Sequence, residues 1–164
     1  MEKETKNDFS TGLTLVEVLV ATSIVLIFIV VLFGVYNTYL RIVSSNTQSV
    51  KATYLAEEGL EVIRFLRDSS WDDNILPLSS ETDYKLIFES GTWQFSATSI
   101  YIDAIFDRSV IFHDVYRDTN GDIVSSGGNL DENTKLVTIN VSWWRNAATS
   151  TKSLSTYIMN LFDN

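Results

Sequence analysis

Apolar residues are distributed very unevenly along this chain. From Val18 to Leu40, 23 consecutive residues carry no charge, in the run VLVATSIVLIFIVVLFGVYNTYL. As an α-helix the run is about 34 Å long, enough to cross the hydrocarbon of a bilayer, and a small soluble domain has too little surface to cover a helix that is apolar on every side. The segment is therefore expected to enter a membrane. A cleaved secretory signal would carry a shorter apolar region, about 7–15 residues, ending in a small-residue site. This run ends instead in Gly34-Val35-Tyr36-Asn37. Lys3 and Lys6 before it are matched by Arg41 and Lys51 after it, so the basic residues give little orientation.

Beyond Arg41 the pattern becomes amphipathic. Val50, Tyr54, Leu55, Gly59, Val62, Ile63 and Leu66 recur at spacings of three or four and predict one buried helix face, while Lys51, Glu57, Glu58, Glu61, Arg64 and Asp68 mark polar faces. The single proline is Pro77, so nothing from Thr14 to Arg67 stops a helix, and one rod of about 54 residues, or roughly 80 Å, is expected. Gly34 costs about 1 kcal/mol relative to Ala in a helix. It marks either a softening point or a place of close helix contact.

Turn formers from Ser69 to Asp83 close the rod, and strand signals follow. Tyr84 to Glu89 and Thr92 to Ala97 flank Ser90-Gly91 as a hairpin. Further strands are expected at Ser99 to Asp103 and Ser109 to Arg117. The clearest is Thr134 to Trp144, where Val137, Ile139, Val141 and Trp143 alternate with Thr138, Asn140 and Ser142. A last strand, Lys152 to Leu161, is joined to it through an Asn146 to Ser150 turn. The fold class is α+β, a long helix with an antiparallel sheet laid on its C-terminal half.

Composition narrows the chemistry. A net charge of −9 disfavours nonspecific binding to nucleic-acid phosphate, and 45% hydrophobic residues with four Trp supply a real core. The absence of Cys removes disulfides, thiolate nucleophiles and Cys-ligated zinc. The one histidine, His113, leaves no cluster for a metal and reads as a packing or surface group on a strand. No nucleophile and base pair, phosphate loop or catalytic carboxylate pair stands out, so no enzyme, metal or cofactor is expected. Asp118-Thr119-Asn120-Gly121-Asp122 resembles the start of a calcium loop. However, Ile123 stands where an EF-hand needs Gly, and Asn129 where it needs Glu, so a hairpin turn at Asn120-Gly121 is the preferred reading. Trp71, Trp93, Trp143 and Trp144 serve either a sheet core or, as the weaker alternative, a sugar- or surface-binding patch.

The block Ser10-Thr11-Gly12-Leu13-Thr14-Leu15-Val16-Glu17-Val18-Leu19-Val20-Ala21 resembles the prepilin signature of type IV pilins and of the pseudopilins of type II secretion. The resemblance implies a leader, residues 1–12, cut between Gly12 and Leu13 by a membrane prepilin peptidase that also methylates the new N-terminus. Leu13 departs from the family's commonest Phe. It also implies the pilin fold for the whole chain, with a membrane and filament-core helix over 13–40, an amphipathic helix over 41–68 and a β-rich head over 69–164. Glu17 then takes the place of the family's glutamate at the fifth mature position. Physically, the cut would leave a protonated α-amine at the lip of an apolar helix, and a carboxylate one turn along can neutralise it in its own chain or a neighbour. The implied partners are the peptidase, other pilin or pseudopilin subunits, the assembly platform and membrane lipid. The implied route runs from single-pass inner-membrane precursor to extracellular or periplasmic filament. Pilin relatives often carry Pro or Gly in the region of Gly34, where the helix can melt in filaments, and some pseudopilins bind calcium. A minor pilin is preferred over a major subunit, given the absence of the family's frequent C-terminal disulfide. A pseudopilin of a secretion or competence system is the alternative, and a signal-anchored surface binding protein is the alternative of another class.

Overall fold

The computed structural model describes residues 14–145 and 147–161, and divides the chain into two compact units on either side of Asn46 and Thr47. The first unit is the N-terminal part of helix α1 (Leu15–Ser69, 55 residues). Thr14 precedes it, and its carbonyl accepts the Val18 amide at 3.2 Å while its hydroxyl accepts the Glu17 amide at 3.3 Å. Every residue from Thr14 to Ser44 is exposed. The polar side chains along this stretch bond back to their own helix: Thr22 and Ser23 donate to the Leu19 carbonyl, Asn37 to that of Phe33 and Thr38 to that of Gly34. Such back-bonding satisfies groups for which hydrocarbon would offer no other partner. By length and composition this is a helix able to cross a membrane near the N-terminus of the chain.

In the second unit the C-terminal part of α1 packs on an antiparallel sheet. The buried helix face is Ala52, Ala56, Gly59, Val62, Ile63 and Leu66. Two expected members fall outside it, since Val50 and Tyr54 are 52% and 67% exposed, and Leu55 is half-buried. The contact stripe runs through the small residues Ala52, Ala56 and Gly59, which let the backbone approach the sheet closely and turn the two larger side chains outward. The loop expected from Ser69 to Asp83 contains a short helix, α2 (Trp71–Asn74), whose start is capped by Ser70 accepting the Asp73 amide at 3.1 Å. It carries Trp71 into the core. Asn74 donates to the Leu66 carbonyl at 2.9 Å, a second bond to the acceptor that already takes the Ser70 amide at 3.2 Å, and so ties α2 to the end of α1.

The strands are β1 (Asp83–Glu89), β2 (Thr92–Ser96), β3 (Phe106–Arg117), β4 (Ile123–Val124), β5 (Asn129–Arg145) and β6 (Ala148–Met159). The order across the sheet is β2-β1-β3-β5-β6, with β4 paired to β3 and every pairing antiparallel. Register places Phe106 opposite Trp143, Val110 opposite Ile139 and Phe112 opposite Val137. These side chains, with Val141, are almost wholly buried, so the alternation read along β5 is the core face of the sheet. Tyr84 stacks edge-on against Phe95 and Phe112 at its margin.

Several expected boundaries change, the largest shift being at β5, which begins at Asn129 rather than Thr134. β3 begins at Phe106, and β6 begins at Ala148, where Arg145 pairs with Ala148 and leaves a two-residue connection. Ser99 to Asp103 is no strand: Ile102 makes one isolated bridge to Phe106, and Asp103 and Ala104 turn the chain at φ of 52° and 55°. Its alternation mimics a strand, but β1 and β3 are already paired to each other and leave no slot between them.

Candidate functional site

The residues singled out at the start of the chain do not converge on a pocket. Gly12 and Leu13 lie outside the described residues. Glu17 stands in the first turn of α1, exposed, with its amide held by the Thr14 hydroxyl. Thr14-Leu15-Val16-Glu17 has the spacing of a capping box, a Thr followed three residues later by Glu at the head of an apolar run. That signal was legible in the sequence and gives Glu17 a local role: its negative charge sits at the positive end of the helix dipole. Gly34 lies about 25 Å further along α1, where the helix continues without interruption. An added Cβ there would touch nothing within 4 Å.

The other candidates sit in the second unit and resolve differently. Asp118 is the hub of the β3–β4 turn. Its Oδ1 accepts the amides of Asn120 and Asp122, both at 2.9 Å, and its carbonyl accepts that of Gly121 at 3.1 Å. The Asp122 amide first, then the bonds from Asn120, hold its carboxyl below the usual carboxylate range. The geometry is that of a turn whose acidic side chain is engaged by its own loop. Arg117 closes it by donating to the Gly121 carbonyl at 2.8 Å and to Asp131 at 2.6 Å. His113 is partly exposed on β3 and lies 2.7 Å from Glu81 through Nδ1.

The four tryptophans form no common patch. Trp71 and Trp143 are core residues at 1% and 4% exposure, Trp93 is half-buried beneath the Arg108 guanidinium at 5.4 Å, and Trp144 is exposed.

Buried cations are the feature least visible in the sequence. Arg108 occupies a core-facing position of β3, where it donates to the Leu55 carbonyl at 3.2 Å and to Glu58 at 2.7 Å. Lys85 lies between Asp107 at 3.0 Å and Asp83 at 3.1 Å. Burial alone would lower its pKa, but the bonds to Asp107 and then Asp83 outweigh burial and hold the ammonium above the usual lysine value. Lys135 bonds Asp114 at 2.7 Å, and this bond, with another from Ser80, pulls the Asp114 carboxyl below its usual range against the opposing effect of burial. Among the described residues no three His, Cys, Asp or Glu side chains gather as a metal site.

Comparison of the chain with protein-family models, with curated proteins and with solved structures gives no match. The geometry therefore stands by itself: an α+β protein with one N-terminal helix long and apolar enough to cross a membrane.

Proposed function

We propose that this chain is a prepilin-like structural subunit, processed between Gly12 and Leu13, methylated at Leu13 and built through α1 into a type IV pilus or related filament. The observation that carries the reading is a helix exposed along all of Thr14 to Ser44, apolar from Val18 to Leu40, with a single carboxylate, Glu17, in its first turn. Behind that carboxylate stands the Gly12-Leu13-Thr14-Leu15-Val16-Glu17 sequence. A surface this apolar needs lipid before assembly and neighbouring helices after it. Cleavage after Gly12 would supply an α-amine close to Glu17. Pairing of that amine with the Glu17 of a neighbour offers incoming subunits an electrostatic register at low dielectric. Gly34 is the softening point along the helix in this reading. A minor pilin remains the preferred role and a pseudopilin the alternative.

Mass spectrometry of the native polypeptide tests it. An N-terminus at a methylated Leu13 is expected in a strain with a working prepilin peptidase. Retention of residues 1–12 there refutes the reading and favours a signal-anchored surface protein. Glu17→Val should abolish incorporation into filaments while leaving cleavage intact, and undiminished incorporation would remove the charge-pairing step.

A further inference from the structure

A cleft of about 420 Å³ opens in the second unit between the 101–105 loop and the adjoining ends of β5 and β6. Its volume falls within the range of about 300–1,000 Å³ usual for small-ligand sites. Two aromatic side chains stand in its walls yet remain open to solvent: Tyr101 is 62% exposed and Trp144 69%. Asp107 pairs across the sheet with Ser142, so the pleat puts both side chains, with Trp144, on the sheet face turned away from α1.

Oδ1 of Asp107 and Nε1 of Trp143 have no hydrogen-bond partner among the described residues, but both atoms are sealed from solvent, so the polar lining a ligand can meet is that of Ser142 and the exposed Thr149. The loop wall is held in place: Ile102 and Phe106 exchange main-chain bonds of 2.8 and 3.0 Å, and Lys51 reaches Asp103 at 3.2 Å. Ala104, on that wall, sits at φ 55°, a left-handed conformation that side chains other than Gly adopt at a cost.

We propose that this cleft binds a neutral saccharide, with one pyranose ring stacked on Trp144 and its chain running along β5 and β6. A sugar ring offers a C–H face to the indole and hydroxyls to Ser142 and Thr149 in the cleft wall. A cation gains less, because Lys85 at 3.0 Å from Asp107 Oδ2 already supplies the counter-charge. An anion meets Asp107 and, among the described residues, no cation in the cleft lining, and an apolar peptide would cover the Ser142 and Thr149 hydroxyls without giving them partners. The same face continues as an uncharged ladder in an otherwise acidic chain. Thr151 bonds Ser142 at 2.9 Å, Ser153 bonds Asn140 at 2.6 Å and Ser155 bonds Thr138 at 2.9 Å, and beyond them lies Tyr157, 50% exposed. An aromatic group at each end of a polar strip suits an extended glycan better than a single sugar.

The test uses the full chain in lipid nanodiscs, which keeps sugar detergents out. It is titrated with hexasaccharides of β-1,4-glucose, β-1,4-N-acetylglucosamine and α-1,4-glucose, and followed by calorimetry and tryptophan fluorescence. At least one is expected to saturate the protein with a Kd of about millimolar or tighter. Trp144→Ala and Tyr101→Ala should each weaken it by about tenfold. Both residues are exposed, so both variants should keep the parent melting temperature. Lack of binding by all three at about 10 mM, or binding that both variants leave intact, overturns the proposal. Self-association that Trp144→Ala abolishes, with no saccharide bound, assigns the face to a second copy of the chain and overturns it equally.

Discussion

Gly59 is a point where α1 and the sheet come very close, and substitutions there measure that approach. A Cβ at Gly59 would lie 3.2 Å from Cδ of Arg108 and 3.2 Å from both Cδ1 and Cγ2 of Ile139. Neither neighbour is free to swing away: Ile139 is fully buried, and Arg108 is tied to Leu55 and Glu58. Gly59→Ala gains about 1 kcal/mol of helix propensity. It also pushes three atoms by a few tenths of an ångström, at an overpacking cost of about 1–3 kcal/mol, so the net loss is about 0–2 kcal/mol. Gly59→Leu places three more carbons where no space exists and should cost about 3 kcal/mol or more. At about 2–4 °C per kcal/mol for a chain of this size, the Ala variant should melt up to about 8 °C below the parent. The Leu variant should melt at least about 6 °C below it. Near-ultraviolet circular dichroism of the full chain in nanodiscs reads this in the tryptophan band through the buried Trp71 and Trp143, since the apolar stretch of residues 18–40 contains tyrosine but no tryptophan. A Leu variant melting within about 2 °C of the parent would show that the helix does not lie this close to β3 and β5.

The same Gly-to-Ala change at Gly34, where nothing lies within 4 Å, should bring the propensity gain alone. It should slow amide exchange around Thr38 by about fivefold, and unchanged exchange would mean that Gly34 is no soft point. Glu58→Ala should cost about 1–3 kcal/mol in urea unfolding, because it strands the Arg108 guanidinium. That is less than for a fully buried pair, since the Glu58 side chain is half exposed. Adding Arg108→Met should recover most of the loss, and a double variant no more stable than the single would contradict the buried-charge explanation. Asp114 and Asp131 have folded pKa values below normal, Asp131 because bonds from Arg117, Thr134 and the Asn133 amide outweigh its burial. Their contribution is therefore present above about pH 4 and lost as pH falls through the lowered values. Lys85, raised, contributes below about pH 10.4 and loses its contribution as pH rises through its folded value. Urea midpoints should thus fall at both ends of the range, and an acid limb that Asp114→Asn leaves unflattened would remove Asp114 from the account.

What could be read from the sequence depends on how far along the chain the deciding interactions reach. The apolar run declares itself because the ability to cross a bilayer depends on length and composition, which are read residue by residue. The β5 alternation is equally plain, since a sheet with one buried face imposes a period of two on Val137, Ile139, Val141 and Trp143. Errors begin where two elements must fit each other. Val50 and Tyr54 look like face residues by size. The stripe that wins is the one whose small members, Ala52, Ala56 and Gly59, permit close approach, and alanine carries no strong signal of its own. Ser99 to Asp103 has the local pattern of a strand, yet pairing slots are a property of the finished sheet. Trp71 reaches the core only because Ser70 caps a four-residue helix inside a stretch that reads as loop. Sites follow the same rule. Thr14 and Glu17 are three residues apart, and their capping relation is written in the sequence. Tyr101, Asp107, Ser142 and Trp144 meet only through the register of β3 on β5 and a left-handed turn at Asp103 and Ala104. A cleft assembled from side chains of low individual distinctiveness leaves no motif behind. For this chain, therefore, a function carried by α1 is testable from sequence chemistry, whereas one carried by the sheet face is testable only by probing the assembled surface with ligand.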